Sequence, residues 1–315
     1  MSKKVILSGG TGFIGQALIP KLLKADYTVV LLTRGMHSAP EISHSSLHVE
    51  QWDGRTLGRW AKHLEGAGAV INLAGESIGA KRWTQARKRL LLGSRLDSTK
   101  VITSAIAKAT NKPSVLVNAS AVGYYGNVDN DDVPESYPHG NDFLASLCVE
   151  WEQQALTAQK LGVRVALLRN GVVLGKNGGA LKKMLLPFKM LVGGPLGSGR
   201  QWFSWIHLDD VVDIILFILE KKNISGPVNV ASPNPVTMKQ FCEALGKAMK
   251  RPCWAQVPAL MLQTVLGEMS QVILTGQRVL PKKLVDAGYK FRYSDMDRAL
   301  ETILQVGQDS TLSYE

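Results

Sequence analysis

The residues best suited to chemistry lie in the short segment 118–126, which reads NASAVGYYG. It places Ser120, Tyr124 and Tyr125 just after the apolar run SVLV. A serine hydroxyl can hydrogen-bond a substrate oxygen, and a tyrosine can pass a proton in general acid–base catalysis. The segment is therefore half of a candidate active site, and the rest of the chain must position it and supply what it lacks.

Short apolar strands alternate with helical patterns through the first two thirds of the chain. Near-continuous apolar strands of this kind predict a parallel sheet that helices cover on both faces. We expect an α/β fold, a Rossmann-type doubly wound sheet with a smaller, mainly helical C-terminal substrate domain. The predicted strands lie at 5–7, 27–34, 69–75, 114–120, 163–175 and 226–232.

The predicted domains are discontinuous along the chain. Residues 1–175 and 205–232 form the dinucleotide-binding domain, and the glycine-rich stretch 176–204 joins 233–315 in the smaller domain. Residues 205–222 are predicted to be a helix that Asp209 or Asp210 caps.

A glycine-rich turn follows the first strand. Gly10-x-Gly12-x-x-Gly15 matches the dinucleotide-binding fingerprint, and a close variant begins at Gly9. The turn stands directly between a strand and a helix, where backbone amides and the helix N-terminus stabilise a pyrophosphate. The residues that we assign to cofactor binding here are Gly9, Gly12, Phe13, Ile14 and Gly15.

The end of the second predicted strand indicates which dinucleotide binds. An acidic residue there would bind the ribose 2′-hydroxyl, but the sequence has Thr33-Arg34. An arginine can pair with a 2′-phosphate, so we expect NADP(H) to be preferred over NAD(H). Asp53 follows a possible third strand and is a candidate hydrogen-bond acceptor for the adenine amine, although turn formation explains it equally well.

Composition limits the class of protein and its partners. The chain has 315 residues, of which 45% are hydrophobic and 20% charged, and no apolar run is long enough to cross a membrane. Three cysteines without metal or disulfide spacing indicate a cytoplasmic protein that holds no metal.

The net charge of +11 favours an anionic partner, which we expect to be a phosphorylated cofactor or a small anionic substrate. We expect no nucleic-acid partner, since the chain has no recognised binding motif, and a monomer or homodimer.

Several segments together resemble a known family. SGGTGFIG, NLAG, SAVGYYG, LLRNGVVLG and WIHLDDVV occur in the order seen in extended short-chain dehydrogenases/reductases of the sugar-nucleotide epimerase group. NLAGESIGAKRWT and LPFKMLVGGPLGSGRQWFSWIHLDD are similar to an atypical subgroup of that superfamily, the SDR39U-type epimerase-family proteins. The resemblance covers essentially the whole chain and implies an NADP(H)-dependent oxidoreductase or an epimerase-like enzyme.

The same resemblance implies particular cofactor contacts. Thr33 and Arg34 would hold the adenosine phosphate, and Arg95 would face the cofactor phosphates. Val172 would lie near the nicotinamide. The residues implied to line the nucleotide groove are Leu73, Ala74 and Gly75.

The chain departs from this superfamily at the catalytic pair. Its members use a serine together with a tyrosine and a lysine four residues later, and Ser120 matches the serine. However, no tyrosine in the chain has a lysine four positions on, and no lysine or arginine occurs from 113 to 159. Three hypotheses remain: Tyr124 or Tyr125 donates the proton, another acid such as His207 or Cys148 does so, or the protein is a non-catalytic NADP(H)-dependent regulator or sensor.

The substrate pocket is expected outside the carboxyl ends of the strands. Arg82 and Arg200 are candidates to bind a carboxylate or phosphate, and Trp83 and Trp202 are candidates to form an aromatic wall with Phe203 and Trp205. This composition suits an anionic, partly flat molecule, for which a compound similar to a sugar nucleotide is a candidate. Core packing explains the aromatic residues equally well.

Overall fold

The structure is a computed structural model that describes residues 2–35, 42–176 and 178–305. Residues 1, 36–41, 177 and 306–315 of the predicted domain ranges lie outside the described part. The strands are β1 Lys4–Ser8, β2 Thr28–Thr33, β3 Leu47–Gln51, β4 Ala69–Asn72, β5 Val115–Ala121, β6 Asp132–Val133, β7 Arg164–Asn170, β8 Val172–Leu174, β9 Trp202–Phe203, β10 Trp205–His207, β11 Gly226–Val230, β12 Val236–Thr237 and β13 Arg278–Val279. The α-helices are α1 Phe13–Lys24, α2 Gln85–Lys108, α3 Phe143–Leu156, α4 Leu181–Lys189, α5 Leu208–Glu220, α6 Met238–Met249, α7 Ala259–Leu266, α8 Gln271–Leu274, α9 Lys282–Asp286 and α10 Met296–Gln305.

Seven strands form one parallel sheet in the order β11-β7-β5-β4-β1-β2-β3. The chain moves outward from β1 to β2 and β3 on one side, and then returns to build β4, β5, β7 and β11 on the other. The direction of winding therefore reverses between β1 and β4, and the carboxyl ends of both strands meet at that point. The predicted doubly wound α/β fold is confirmed.

Side chains alternate between two cores because successive residues of a strand point to opposite faces. On β1, Val5 and Leu7 pack into a core that includes α1 and α5, whereas Ile6 packs into a second core against α2. All three side chains are fully buried. A sheet that is apolar on both faces needs helices on both faces, and this explains the continuous apolar runs in the sequence.

A third core lies outside the sheet. It combines residues of α4, α6 and α10 with aromatic residues of β9 and β10. Segments on both sides of the α5–β11 stretch thus share one core, which also includes Leu174 and Trp205 of the predicted dinucleotide-binding domain. The domain boundaries themselves stay a prediction.

The start of α5 differs from the prediction. Residues 205–207 form β10, and the cap is His207, whose Nδ1 accepts a hydrogen bond from the Asp209 amide. The Asp210 carboxylate is fully buried and accepts from the Tyr289 hydroxyl and the Arg292 amide. The sequence shows the acidic residues of a first turn but cannot show that one of them secures a segment 80 residues later.

Candidate active site

The glycine-rich turn between β1 and α1 leaves no space for side chains. A Cβ at Gly15 would lie 2.4 Å from the Gly10 Cα, and one at Gly9 would lie 2.5 Å from the Leu73 carbonyl carbon. Gly9 also has a φ of +73°, which disfavours other residues. The turn therefore lets α1 begin directly against β1 and β4.

The N-terminus of α1 suits an anionic group. Gly12 is the N-cap, and no described side chain caps it. The first turn holds no acidic residue, whereas many helices place one there. Amide donors of a first turn without side-chain partners are the groups that bind phosphate in dinucleotide-binding folds. The geometry of Gly9, Gly12 and Gly15 therefore fits the cofactor role predicted for them.

The sequence did not indicate which segment of the chain packs over this turn. The Phe13 ring packs against Gly175, Gly178 and Gly179, where an added Cβ would lie 2.8, 2.5 and 2.9 Å from ring atoms. The segment after β8 thus crosses over the start of α1. The glycines in GKNGG were visible in the sequence, but their partner lies more than 160 residues away. Val172, at the start of β8, is half-buried just before this crossing.

The predicted nucleotide groove follows β4. The Leu73 amide donates to the Ser8 carbonyl, and the Ala74 amide donates to the Asn72 side chain at 3.3 Å. A Cβ on Gly75 would lie 3.2 Å from the Arg95 Cζ, so the guanidinium packs directly under the groove. Arg95 is 7% exposed, and burial lowers its pKa. Its guanidinium donates to the carbonyls of Leu91 and Glu76.

The end of the predicted groove beside β2 is rich in arginine. Arg34 follows β2 and is largely exposed, and its Nη1 lies 3.4 Å from the Glu76 Oε1. Arg87, in the first turn of α2, places Nη1 3.3 Å from the other carboxylate oxygen. The Thr33 hydroxyl donates to the Gly35 carbonyl. Arg34 is therefore at the place where the sequence predicted it, but in a cluster that the sequence did not indicate.

Asp53 forms a turn. Its carboxylate accepts hydrogen bonds from the Thr56 hydroxyl and from the amides of Thr56 and Arg55. These bonds, that of the Thr56 hydroxyl first, lower the pKa of Asp53 to about 2. Turn formation, one of the two alternatives for this residue, thus uses both of its carboxylate oxygens.

Ser120 and Tyr125 belong to a buried polar network centred on Arg169. The Ser120 hydroxyl donates to the Glu152 Oε1 at 2.7 Å, and Arg169 donates to both oxygens of Glu152 at 2.8 Å. Arg169 also donates to the Tyr125 hydroxyl at 3.0 Å, and that hydroxyl donates to Asn229 at 2.6 Å. All five residues are buried. The network links β5, β7, β11 and α3, so these residues have a structural role in addition to the catalytic one predicted for Ser120 and Tyr125.

Electrostatics agree with that assignment. Burial raises the pKa of Tyr125 to about 12, which disfavours its ionisation. Burial alone would lower the pKa of Arg169, but the hydrogen bonds with Glu152 raise it overall. Arg169 therefore remains charged inside the protein. The catalytic role of Ser120 and Tyr125 stays a prediction, and each hydroxyl already donates to a buried partner.

Tyr124 occupies a different environment. It is half-buried, and the Arg169 guanidinium carbon lies 3.4 Å from the centroid of its ring. The ring also makes edge contacts with Tyr125 and His139. Tyr124 lies in the short 3-10 turn after β5, with a cation on one face of its ring. It is the tyrosine of the segment that stays partly exposed outside the buried network.

The two other acids are held in structural positions. Cys148 is 2% exposed, and burial raises the pKa of its thiol to about 12. His207 caps α5, stacks on Tyr293 with ring centroids 3.8 Å apart, and has a pKa that burial lowers. Neither group is positioned as an exposed proton donor.

The predicted substrate residues do not form one wall. Trp83 is 9% exposed and packs edge-on against Phe143, with its indole N–H donating to the Ile78 carbonyl. Trp202 contacts Arg278 instead, and Phe203 and Trp205 belong to the third core. Core packing, the alternative stated for these aromatic residues, thus accounts for Trp83, Phe203 and Trp205, and the substrate role of Trp83 and Trp202 stays a prediction.

The two arginines predicted to bind substrate have different neighbours. Arg82 is exposed and reaches the Thr264 carbonyl at 3.4 Å, next to Gly267. Arg200 is exposed, and its amide donates to the Ser198 hydroxyl.

Among the described residues, no cluster of histidine, cysteine and acidic side chains could hold a metal ion. In the same ranges, no helix combines the length and apolarity needed to cross a membrane.

Comparison with known proteins identifies relatives over nearly the whole chain. Residues 5–231 match the model of the NAD dependent epimerase/dehydratase family, and residues 257–303 match a domain of unknown function, DUF1731. The chain is 42% identical over 306 residues to the chloroplastic epimerase family protein SDR39U1 homolog of Arabidopsis thaliana, covering 96% of this chain and 86% of that one. It is 40% identical to the epimerase family protein YfhF of Bacillus subtilis, covering 95% and 97%.

A solved structure of a related protein is also similar to this chain. The crystal structure of human epimerase family protein SDR39U1 (isoform 2) with NADPH superposes with a TM-score of 0.85 at 33% identity, covering 96% of this chain and 99% of the human one. The predicted resemblance is confirmed, and the chain belongs to the NAD dependent epimerase/dehydratase family.

Proposed function

We propose that this protein binds NADP(H) in preference to NAD(H). The proposal rests on Arg34, which directly follows β2. An acidic residue at this position would bind the ribose 2′-hydroxyl and select NAD(H), whereas an arginine can bind the 2′-phosphate of NADP(H). The glycine turn has the shape that a pyrophosphate needs, and the α1 N-terminus offers donors to it. That the human relative was solved with NADPH supports the same choice.

We predict that Arg34→Ala weakens NADPH binding by about tenfold and leaves NADH binding nearly unchanged. A charge-assisted hydrogen bond between a guanidinium and a phosphate contributes about 1.5–3 kcal/mol, and NADH has no 2′-phosphate. Paired titrations that follow nicotinamide fluorescence measure both affinities. An equal loss for the two cofactors would contradict the proposed role of Arg34.

We further propose an oxidoreductase or epimerase-like reaction on a small anionic alcohol or carbonyl compound, for example one similar to a sugar nucleotide. The nicotinamide supplies or accepts a hydride when the cofactor is bound. Tyr124 is our candidate to transfer the matching proton, since the hydroxyls of Ser120 and Tyr125 donate to buried partners. The Arg169 guanidinium lies over the face of the Tyr124 ring and holds the ring beside the end of β5.

We expect Tyr124→Phe to lower turnover by about 100-fold without changing NADPH affinity, because general acid–base catalysis contributes at least that much. Turnover is measured over a panel of sugar nucleotides and small anionic carbonyl and alcohol compounds. NADPH oxidation or NADP+ reduction reports net redox turnover, and conversion between sugar epimers is followed separately because it consumes no cofactor. Tyr125→Phe is the matched control. It should cost about 1–3 kcal/mol of stability through its buried partners, with less effect on turnover. Full activity of Tyr124→Phe would remove Tyr124 from the mechanism.

A second candidate function is an NADP(H)-dependent regulator or sensor without turnover. The missing tyrosine–lysine pair and the commitment of Ser120 to Glu152 favour it. It requires tight NADP(H) binding, no turnover of any compound in the panel, and a partner whose affinity changes with the cofactor. We also propose a cytoplasmic location, which the three free cysteines support.

A further inference from the structure

The Glu76 carboxylate lies between two guanidinium groups that come from distant parts of the chain. Arg34 approaches Oε1 at 3.4 Å from the end of β2, and Arg87 approaches Oε2 at 3.3 Å from α2. One carboxylate thus faces two cations, and the cluster keeps a net positive charge. The cluster lies at the end of the predicted groove beside β2, directly after Leu73, Ala74 and Gly75.

Arg87 is held more firmly than Arg34. Its side chain is 10% exposed, against 74% for Arg34. The Thr84 hydroxyl caps α2 by accepting from the Arg87 amide, and the Arg87 Nη2 donates to the Ser77 carbonyl at 2.6 Å. Its Nε is buried and has no hydrogen-bond partner among the described residues. A buried donor without a partner is costly, so an anion that reached it would be stabilised.

The Glu76 side chain can leave without disturbing the groove. Its distances to both guanidiniums, 3.3 and 3.4 Å, exceed the 2.7–2.9 Å of a strong charge-assisted bond. The main chain is fixed independently, because the Glu76 amide donates to the Ser94 hydroxyl and the Glu76 carbonyl accepts from Arg95. The carboxylate can therefore rotate toward solvent while the backbone stays in place.

We propose that Arg87 is a second arginine of the 2′-phosphate site and that Glu76 is an internal counter-ion which the phosphate displaces. This inference rests on the proposed NADP(H) function and extends it. Two planar guanidiniums on either side of one anionic position suit a phosphate, which offers several acceptor oxygens at once. Glu76 neutralises part of the cluster before the cofactor arrives and so lowers the affinity for the phosphate.

The test compares adenosine 2′,5′-bisphosphate with adenosine 5′-monophosphate by calorimetric titration, which isolates the 2′-phosphate from the nicotinamide end. Arg87→Gln should weaken bisphosphate binding by about tenfold and leave monophosphate binding unchanged. Arg89→Gln is the matched control. It removes the same charge from the same helix, and Arg89 is exposed with no hydrogen bond or ion pair to another described residue. Glu76→Gln should tighten bisphosphate binding by about fivefold.

The outcomes separate the two levels of the proposal. If Arg87→Gln binds the bisphosphate as Arg89→Gln does, or loses both nucleotides equally, Arg87 is not a phosphate ligand. If Glu76→Gln binds the bisphosphate no more tightly than the wild type, the counter-ion role is wrong. Should Arg87→Gln fail to fold, Arg87→Lys keeps the charge and should retain part of the preference. Equal binding of the two nucleotides by the wild-type protein would instead overturn the NADP(H) proposal itself.

Discussion

Arg169→Met should destabilise the folded protein by about 3–5 kcal/mol, the usual cost of removing one partner of a buried ion pair. The substitution leaves the Glu152 carboxylate buried without its two guanidinium bonds and takes one partner from the Tyr125 hydroxyl. The side chains of Glu152 and Arg169 are only 6% and 4% exposed, so water cannot replace the lost bonds. A domain has about 5–15 kcal/mol of total stability, and the loss is a large part of it.

Urea unfolding of the single and double variants measures this effect. Glu152→Leu combined with Arg169→Met removes both charges together and should recover most of the loss, because a buried pair can often be replaced by apolar residues at little cost. A single variant that loses less than about 1 kcal/mol would behave as a surface ion pair does. That result would contradict the buried network that assigns Ser120 and Tyr125 to structure.

Gly15→Ala should abolish detectable NADPH binding. The new Cβ would lie 2.4 Å from the Gly10 Cα and 2.5 Å from the Gly9 carbonyl oxygen, and both neighbours are backbone atoms that cannot rotate away. The turn must open, and the amides at the start of α1 then move relative to the phosphate position. Overpacking of this kind also costs about 1–3 kcal/mol of stability.

The control for this prediction is Gly162→Ala. Gly162 has a φ of +78° and nothing within 4 Å of an added Cβ, so alanine there costs roughly 1–2 kcal/mol of backbone strain without any steric contact. It should bind NADPH as the wild type does. Fluorescence titration of both variants at a temperature where both remain folded separates loss of binding from loss of stability. Normal NADPH binding by Gly15→Ala would contradict the proposed phosphate loop.

The architecture was largely predictable because its signals are local. Apolar runs at β1, β2, β4 and β5 follow from burial on both faces, and GGTGFIG between a strand and a helix requires a tight turn. The cap of α5 was not predictable in the same way. Choosing between His207 and the acidic residues after it depends on the Asp210 contacts with 289–293, which are far away in the sequence.

The candidate site was predictable only in part for the same reason. The sequence predicted the positions of Arg34 and of the glycine turn, because each directly follows an apolar strand pattern. It could not show that Ser120 donates to Glu152, since 32 residues separate them and either could have faced solvent. It also did not indicate Arg87, which is one of several basic residues at 81–95, a pattern typical of a solvated helix face. Only the structure shows that Glu76 lies between Arg34 and Arg87.

The proposed function depends most on the preference of this chain for NADP(H) over NAD(H). Titration of the wild-type protein with NADPH and with NADH, followed by nicotinamide fluorescence, tests that claim directly. We predict binding of both cofactors with at least about tenfold tighter binding of NADPH, which corresponds to one charge-assisted phosphate contact. Equal affinity for the two, or no binding of either, would contradict it.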